Sequence, residues 1–221
     1  MGLADRFRSG SWGRPGVDYL GRLPAERRRL LSHLEMLAAP HWDEVTLCDD
    51  WRVRDVVAHL IPGWAADFRH LPYIARDYRD IDQGFTRYAR HRAHVDIPVL
   101  LQQYRRKVDS RHIPPIVTPA LNWCDNVIHG LDIRRPAGLR YPGPTEYLTD
   151  AAECLTTMAW PSRQACRSAD LQLVATDVQW TIGAGPPVRG PIEDILLAIA
   201  GRRVADSELT GAGVALLAQR H

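Results

Sequence analysis

A carboxylate, an imidazole and a second carboxylate recur at helical spacing in the segment LNWCDNVIHGLDIRRPAG, residues 121–138. Asp125 and His129 are four residues apart, so on a helix they lie one above the other. Asp132 comes seven residues after Asp125 and returns to within about 20° of it around the helix axis. A carboxylate and an imidazole at this spacing can bind one cation. An ordinary ion pair on a helix surface has the same spacing, so the pattern alone leaves both interpretations open.

His59 is the candidate for a third ligand. Catalytic zinc sites typically use three protein ligands and leave one position for water or substrate. His59, Asp125 and His129 make that count, and nitrogen and oxygen ligands also suit nickel, cobalt or iron. Asp132 would then orient His129 or a bound water molecule. By itself, the segment around His59 fits a histidine at the edge of an apolar core equally well.

Apolar periodicity predicts the helices that must position these residues. Leucines at helical spacing predict a first helix over about residues 17–39, with Pro24 as a candidate start. An i, i+3, i+4, i+7 pattern within residues 46–64 predicts an amphipathic helix with His59 on the flank of its buried stripe. Pro62 is expected to end or kink that helix, because proline lacks the backbone N–H.

The composition changes after residue 136. AGLRYPGPT, residues 137–145, is a Pro/Gly-rich segment and a candidate domain boundary. Beyond it, LQLVAT and VQWTIG predict the two strands of a hairpin, VRG predicts a further short strand, and PIEDILLAIAGRR predicts a helix. The fold class is therefore α+β overall. The predicted parts are a loosely packed arm over 1–16, a helical domain over 17–138 and a small α+β domain over 146–221.

Composition and charge exclude several classes of protein. The 221 residues are 45% hydrophobic, with a formal net charge of +2, too small to indicate nucleic acid or an anionic membrane as partner. We find no apolar run of about 18 residues and no apolar signal segment at the N-terminus, and predict a cytoplasmic protein.

The cysteines support that location. No CxxC pair occurs, which argues against a zinc knuckle or a disulfide framework and favours a reducing compartment. Cys124 adjoins Asp125, but no activating partner is evident, and no protein nucleophile is assigned. The four cysteines are Cys48, Cys124, Cys154 and Cys166.

Two motifs carry a resemblance to a known family. WRVRDVVAHL (Trp51–Leu60) and DNVIHGLDIRRPAG (Asp125–Gly138) resemble the mycothiol-dependent maleylpyruvate isomerase family of actinobacteria. VRGPIEDILLAIAGRR (Val188–Arg203) resembles that family's second domain. The resemblance runs from about residue 17 to the end of the chain. It implies a DinB-like four-helix bundle that carries a divalent metal, usually zinc, followed by a small C-terminal domain of the MDMPI/SCP2-like type.

The resemblance also implies a site and a function. The family's metal ligands map onto His59, Asp125 and His129. The implied protein is a metal-dependent enzyme, a monomer or homodimer, that uses mycothiol or another low-molecular-weight thiol. It would conjugate a small electrophilic substrate or isomerise it from cis to trans. Two alternatives stay open: a metal-dependent hydrolase, and a non-catalytic metal- or small-molecule-binding or regulatory protein. Apart from the resemblance, Arg134, Arg202 and Arg203 are candidates for binding a substrate or cofactor carboxylate. Cations at solvated helix ends would explain these residues equally well.

The chain departs from the family pattern at several positions. Arg52 stands where the family often has Thr or Ser, so the capping box with Asp55 is expected to be lost. Pro62 is unusual for the family and would reshape the pocket floor. An Arg- and Tyr-rich stretch replaces the usual short loop after the second helix. Because family members differ in substrate, the name maleylpyruvate is not carried over to this chain.

Overall fold

The computed structural model describes residues 13–48, 51–61, 81–112, 118–157, 167–204 and 207–220. Within them the chain is rich in helix and has one small sheet, which confirms the predicted α+β class. The helices are α1 (Tyr19–Leu34), α2 (Val53–Leu60), α3 (Ile81–Arg92), α4 (Ile97–Lys107), α5 (Pro119–Arg134), α6 (Thr145–Thr157), α7 (Ile192–Ile199) and α8 (Gly213–Ala218). The strands are β1 (Gln172–Ala175), β2 (Thr181–Gly183) and β3 (Pro187–Gly190), and short 3₁₀ turns cover Ala39–Asp43 and Arg135–Ala137. No helix among the described residues is both long and apolar enough to cross a membrane.

The sheet has the strand order β2-β1-β3. Strands β1 and β2 pair antiparallel, with Leu173 opposite Ile182, which confirms the predicted hairpin. Strand β3 pairs parallel to β1, with Val188 opposite Leu173, and corresponds to the short strand predicted from VRG. Leu173 and Val188 are buried, and α7 packs on both of their strands.

Helix α1 differs from its predicted bounds. Its first turn is fixed by Asp18, whose carboxylate accepts the N–H of Gly21 at 2.8 Å. Pro24 lies inside the helix, so its predicted role as the start is wrong. The helix ends at Leu34 rather than near Ala39, because the N–H groups of Met36 and Leu37 bond the carbonyl oxygens of His33 and Leu34, three residues back instead of four.

Helix α2 is shorter than the predicted segment 46–64. Before the helix, Thr46 donates its N–H to the carbonyl oxygen of Trp51 at 2.8 Å. The threonine hydroxyl also lies 3.0 Å from the same oxygen. These contacts occupy the backbone groups that a longer helix would need. The described chain ends at Ile61 here, so the expected effect of Pro62 lies outside the described residues.

The start of α2 keeps part of the cap that was predicted to be lost. The Asp55 carboxylate accepts the backbone N–H of Arg52 at 2.9 Å, which is one half of a capping box. The Arg52 guanidinium bonds the same carboxylate through Nε at 2.9 Å and through Nη2 at 3.2 Å. The prediction failed because it considered only a hydroxyl partner, whereas an arginine can replace that partner with an ion pair.

Helix α5 is shared by two apolar cores. Its residues Trp123, Val127 and Leu131 pack with α6, α7 and the sheet, whereas Ile133 belongs to the core around α2 and α4. Helix α1 packs along α5, and α2 packs against α3, α4 and α5. The first core contains residues from both sides of segment 137–145. The division into domains 17–138 and 146–221 stays a prediction.

Candidate metal centre

Helix α5 holds Asp125, His129 and Asp132 on one side, as their spacing predicts. The helix begins cleanly because Pro119 occupies its first turn and the Thr118 hydroxyl accepts the N–H of Leu121 at 3.2 Å. His129 Nε2 lies 3.4 Å from Asp125 Oδ1. On the other side of the ring, His129 Nδ1 lies 2.8 Å from Asp132 Oδ2. One imidazole therefore contacts both carboxylates.

Helix α2 brings His59 to the same place. Its valines at positions 53, 56 and 57 are buried in the core, and the helix packs against α5. His59, which lies on the flank of this stripe, is half-buried, and its Nε2 is 3.2 Å from Asp125 Oδ2. The structure thus brings together the three residues that the sequence marks as metal ligands.

The three side chains fit a divalent cation. One donor atom from each of His59, Asp125 and His129 lies within 4.8 Å of the other two. Zinc ligands at roughly 2.1 Å in a tetrahedron are about 3.4 Å apart, which lies within this 4.8 Å limit. His129 is almost buried, at 8% side-chain exposure, whereas Asp125 is 35% exposed. The cluster is therefore accessible from the side of Asp125, as a site that also binds a small molecule requires.

Electrostatics in the cluster favour positive charge. Burial lowers the pKa of His129, but Asp125 and the hydrogen bonds to both carboxylates outweigh burial and raise that pKa to about 9. Burial raises the pKa of Asp125, but the two histidines oppose it and hold that pKa well below its usual range. A proton and a metal ion would therefore compete for the same groups.

Trp51 is a part of the site that sequence reasoning missed. Its indole stacks on the His129 ring with 5.7 Å between centroids and 7° between planes. It meets the His59 ring edge-on at 5.1 Å. Trp51 is 6% exposed and donates Nε1–H to Thr86 Oγ1 at 3.2 Å. Trp51 opens the motif that contains His59, but it lies before the helix start, so helical periodicity does not predict this contact.

Asp132 lies behind His129, completely buried, and is bound by Arg202. Arg202 Nε is 2.9 Å from Asp132 Oδ1, and Nη2 is 2.7 Å from Oδ2. Burial raises the pKa of Asp132, whereas Arg202 and His129 lower it, and the net shift is downward. The carboxylate is therefore an anion that holds Nδ1 of His129 and leaves Nε2 to face Asp125.

Cys48 is a second residue that the sequence did not place at the site. Its Sγ and a ligand atom each from His129 and Asp132 lie within 4.8 Å of one another. This group is a weaker fit for a cation, because His129 and Arg202 already bond the Asp132 carboxylate. Cys124 is buried, and a side-chain hydrogen bond with Cys154 together with burial raises its thiol pKa.

The three predicted carboxylate-binding arginines lie in different surroundings. Arg134 is buried and donates to the carbonyl oxygens of Gly130 at 3.3 Å and Arg29 at 2.7 Å. Arg202 is bound to Asp132, as described above, whereas Arg203 is exposed. Their role toward a substrate stays a prediction.

Comparison with known proteins identifies the family of the chain. A family model described as the mycothiol maleylpyruvate isomerase N-terminal domain matches residues 23–134, more than half of the chain. The chain belongs to this family. The matched span includes all three candidate metal ligands of this chain, His59, Asp125 and His129.

Solved structures show the same fold. The chain is similar to a mycothiol-dependent maleylpyruvate isomerase, with a TM-score of 0.57 and 16% sequence identity over 87% of this chain and 92% of that chain. A histidine-to-alanine mutant of such an isomerase gives a TM-score of 0.56 at the same identity and coverage. Curated proteins gave no match. Family and fold are thus established independently of the site.

Proposed function

We propose that this protein is an enzyme that uses a low-molecular-weight thiol, of the mycothiol type, to isomerise or conjugate a small electrophilic substrate. The observation that carries the proposal is the convergence of His59, Asp125 and His129 from two helices, with the Asp125 side accessible. Membership of the mycothiol maleylpyruvate isomerase family supports the choice of thiol. The solved isomerases of the same fold support the choice of reaction.

Each residue of the site has a separate task. His59, Asp125 and His129 would hold a divalent cation, with zinc as the leading candidate. Such an ion, when bound, lowers the pKa of a coordinated thiol, so that thiolate is present near neutral pH. Asp132 keeps His129 in one tautomer by accepting from Nδ1 at 2.8 Å. Trp51 stacks on one face of His129 and meets His59 edge-on, so its indole would keep water from that side of the two rings.

When bound, a thiolate would supply a nucleophile that can add reversibly to one carbon of a cis double bond conjugated with a carbonyl group. Rotation about the resulting single bond, followed by loss of the sulfur with the C–S bonding electrons, would give the trans isomer without a further co-reactant. A substrate that carries a leaving group would lose it with its bonding electron pair and give a stable thioether, which is conjugation.

A reducing cytoplasm suits this chemistry, because it keeps a small thiol in its reduced form. Sedimentation would distinguish a monomer from a homodimer.

A thiol panel tests the proposed function. The purified, zinc-loaded protein is assayed with maleylpyruvate and with monobromobimane, each with mycothiol, with glutathione and without thiol. We expect turnover above the spontaneous rate only when a thiol is present, and loss of turnover in His59→Ala. His94→Ala is the matched control, because His94 is exposed and outside the three-ligand cluster.

The other outcomes contradict the proposal and identify its alternatives. Product formation without thiol would indicate hydrolysis by a metal-bound water. A thermal shift with mycothiol but no turnover of either electrophile would indicate a binding or regulatory protein. Equal turnover in wild type and His59→Ala would separate the activity from the three-ligand cluster.

A further inference from the structure

The backbone after α7 places Arg202 by a well-defined helix end. Gly201 has a φ of 86°, which favours glycine. Its N–H donates to Ala198 at 2.9 Å, and the N–H of Arg202 donates to Leu197 at 2.9 Å. These two bonds form a Schellman motif, which stops the helix and directs the next residue away from its axis. The start of the Arg202 side chain is thereby fixed relative to α7.

The Arg202 side chain crosses to α5 and binds Asp132 with two parallel bonds. Nε donates to Oδ1 at 2.9 Å and Nη2 donates to Oδ2 at 2.7 Å. A third donor, Nη1, bonds the carbonyl oxygen of Ala200 at 2.6 Å. This two-pronged geometry restricts rotation of the carboxylate more than a single point charge would. Arg202 is thus anchored at both ends.

Asp132 passes this constraint to His129. The carboxylate is completely buried, and Oδ2 accepts from His129 Nδ1 at 2.8 Å as well as from Arg202. The plane and position of the carboxylate determine where the imidazole Nδ1 can donate, and so where Nε2 points. Without Arg202, the anion would be buried with less compensation and free to rotate.

We propose that Arg202 is a positioning residue that sets the affinity of the His59–Asp125–His129 cluster for a divalent cation. It acts through Asp132, which orients the His129 ring. The inference rests on the metal site of the proposed function, and assigns Arg202 a different task from that of binding a substrate carboxylate. It also links metal affinity to the docking of α7 beside α5, because Arg202 follows α7 in the chain.

The affinity of the protein for Zn²⁺, measured by competition with a chromophoric chelator, tests the inference. We expect Arg202→Met to raise the Kd for zinc on the order of 10-fold, the loss typical of residues that orient metal ligands. Arg202→Lys, which keeps one donor, should lie between this variant and wild type. Arg140→Met is the control, because Arg140 also pairs with an acid of α7, Asp194 at 3.4 Å, and has no bond to Asp132.

A double-mutant cycle separates positioning from a merely structural role. If Arg202 acts through Asp132, zinc binding by Arg202→Met/Asp132→Asn should be no weaker than by Asp132→Asn alone. Additive losses would overturn the inference, and so would wild-type zinc affinity in Arg202→Met. Wild-type zinc affinity with a raised KM for a carboxylate substrate would assign Arg202 to the substrate instead.

The zinc-binding measurement distinguishes failure of the proposed function from failure of the inference about Arg202. If wild type itself binds no zinc, the three-ligand site falls, and this inference falls with it. If wild type binds zinc and Arg202→Met binds it equally, the inference alone is overturned. Should Arg202→Met not fold, Arg202→Lys compared with Arg140→Met decides on the same measurement.

Discussion

His129 is the residue on which the site depends, because both of its ring nitrogens have assigned partners. Nδ1 contacts the buried Asp132, and Nε2 faces Asp125 at the accessible side. The ring is also stacked on Trp51. A side chain held on three sides loses little conformational entropy when it binds a ligand, which is the condition for a preorganised metal site.

The pH dependence of stability in the metal-free protein should report this arrangement. The pKa of His129 is about 9 in the folded protein, above the ordinary 6.5. The contribution of protonated His129 to the free energy of unfolding is therefore fully present below pH 6.5 and is lost as pH rises through about 9. From the pKa difference we expect at most about 3 kcal/mol, counted once for the His129–Asp125 pair.

Urea unfolding from pH 6 to 10, for metal-free wild type and His129→Asn, measures this contribution. The two unfolding free energies should converge as pH rises, with wild type the more stable at pH 6. Curves that stay parallel across this range would contradict the assignment of the charge to His129.

At this scale, helical geometry predicted the local contacts and not the distant ones. Asp125, His129 and Asp132 share a helix face because 3.6 residues complete a turn, which the sequence shows directly. Trp51 and Arg202 reach His129 and Asp132 from separate parts of the chain. Such contacts depend on how α2 and α7 pack against α5, and no spacing within one segment contains that information.

At the scale of elements, the short helix α2 determines where His59 lies. It is held at its start by Asp55, which is 1% exposed and bonds Arg52 through backbone and side chain. Because α2 has 8 residues, its stability depends on this end and on packing rather than on its own propensity.

Removal of the Asp55 carboxylate should loosen α2. We expect Asp55→Ala to lower the free energy of unfolding by about 1–3 kcal/mol, because buried charged hydrogen bonds are lost. Asp43→Ala is the matched control. Asp43 is half exposed and bonds the same Arg52 at 2.9 Å, so its loss should amount to less than about 1 kcal/mol. Denaturant unfolding compares the two, and equal losses would show that Asp55 has no special role at the helix start.

Helix and strand types followed from the sequence more closely than their ends did. The hairpin and the helix that follows the sheet agree with prediction, because the local sequence pattern decides the type of each element. The bounds of α1 and α2 differ because Asp18 caps one helix and Thr46 holds a turn before the other. Competition between side-chain and backbone hydrogen bonds decides such ends, and propensity alone does not resolve it.

At the scale of the molecule, side-chain ion pairs join α7 to α5 near both ends of α7. Arg202 bonds Asp132 beyond the end of α7, and Arg135 pairs with Glu193 at 2.8 Å and Asp194 at 3.1 Å at its start. Arg135, Glu193 and Asp194 are all buried. The metal centre and the C-terminal segment are thus joined through α5, an arrangement that the sequence could not predict, since it arises from the docking of distant segments.

Loss of the buried ion pairs of Arg135 should destabilise the protein far more than loss of the exposed ion pairs of Arg140. Arg135→Met leaves Glu193 and Asp194 buried without their main cation, and we expect it to lower the free energy of unfolding by about 3–5 kcal/mol. Arg140 contacts the same two acids but is 51% exposed, so Arg140→Met should lower it by less than about 1 kcal/mol. Similar losses of unfolding free energy in the two variants, measured by guanidinium unfolding, would contradict a stabilising role of the buried Arg135 ion pairs.

The metal content of the protein tests the central claim most directly. Wild type, His129→Ala and the exposed control His94→Ala are stripped of metal, incubated with zinc, desalted and measured by mass spectrometry of the metal. We expect about one zinc per chain in wild type and in His94→Ala, and strong loss in His129→Ala. Equal zinc content in wild type and His129→Ala would contradict the site.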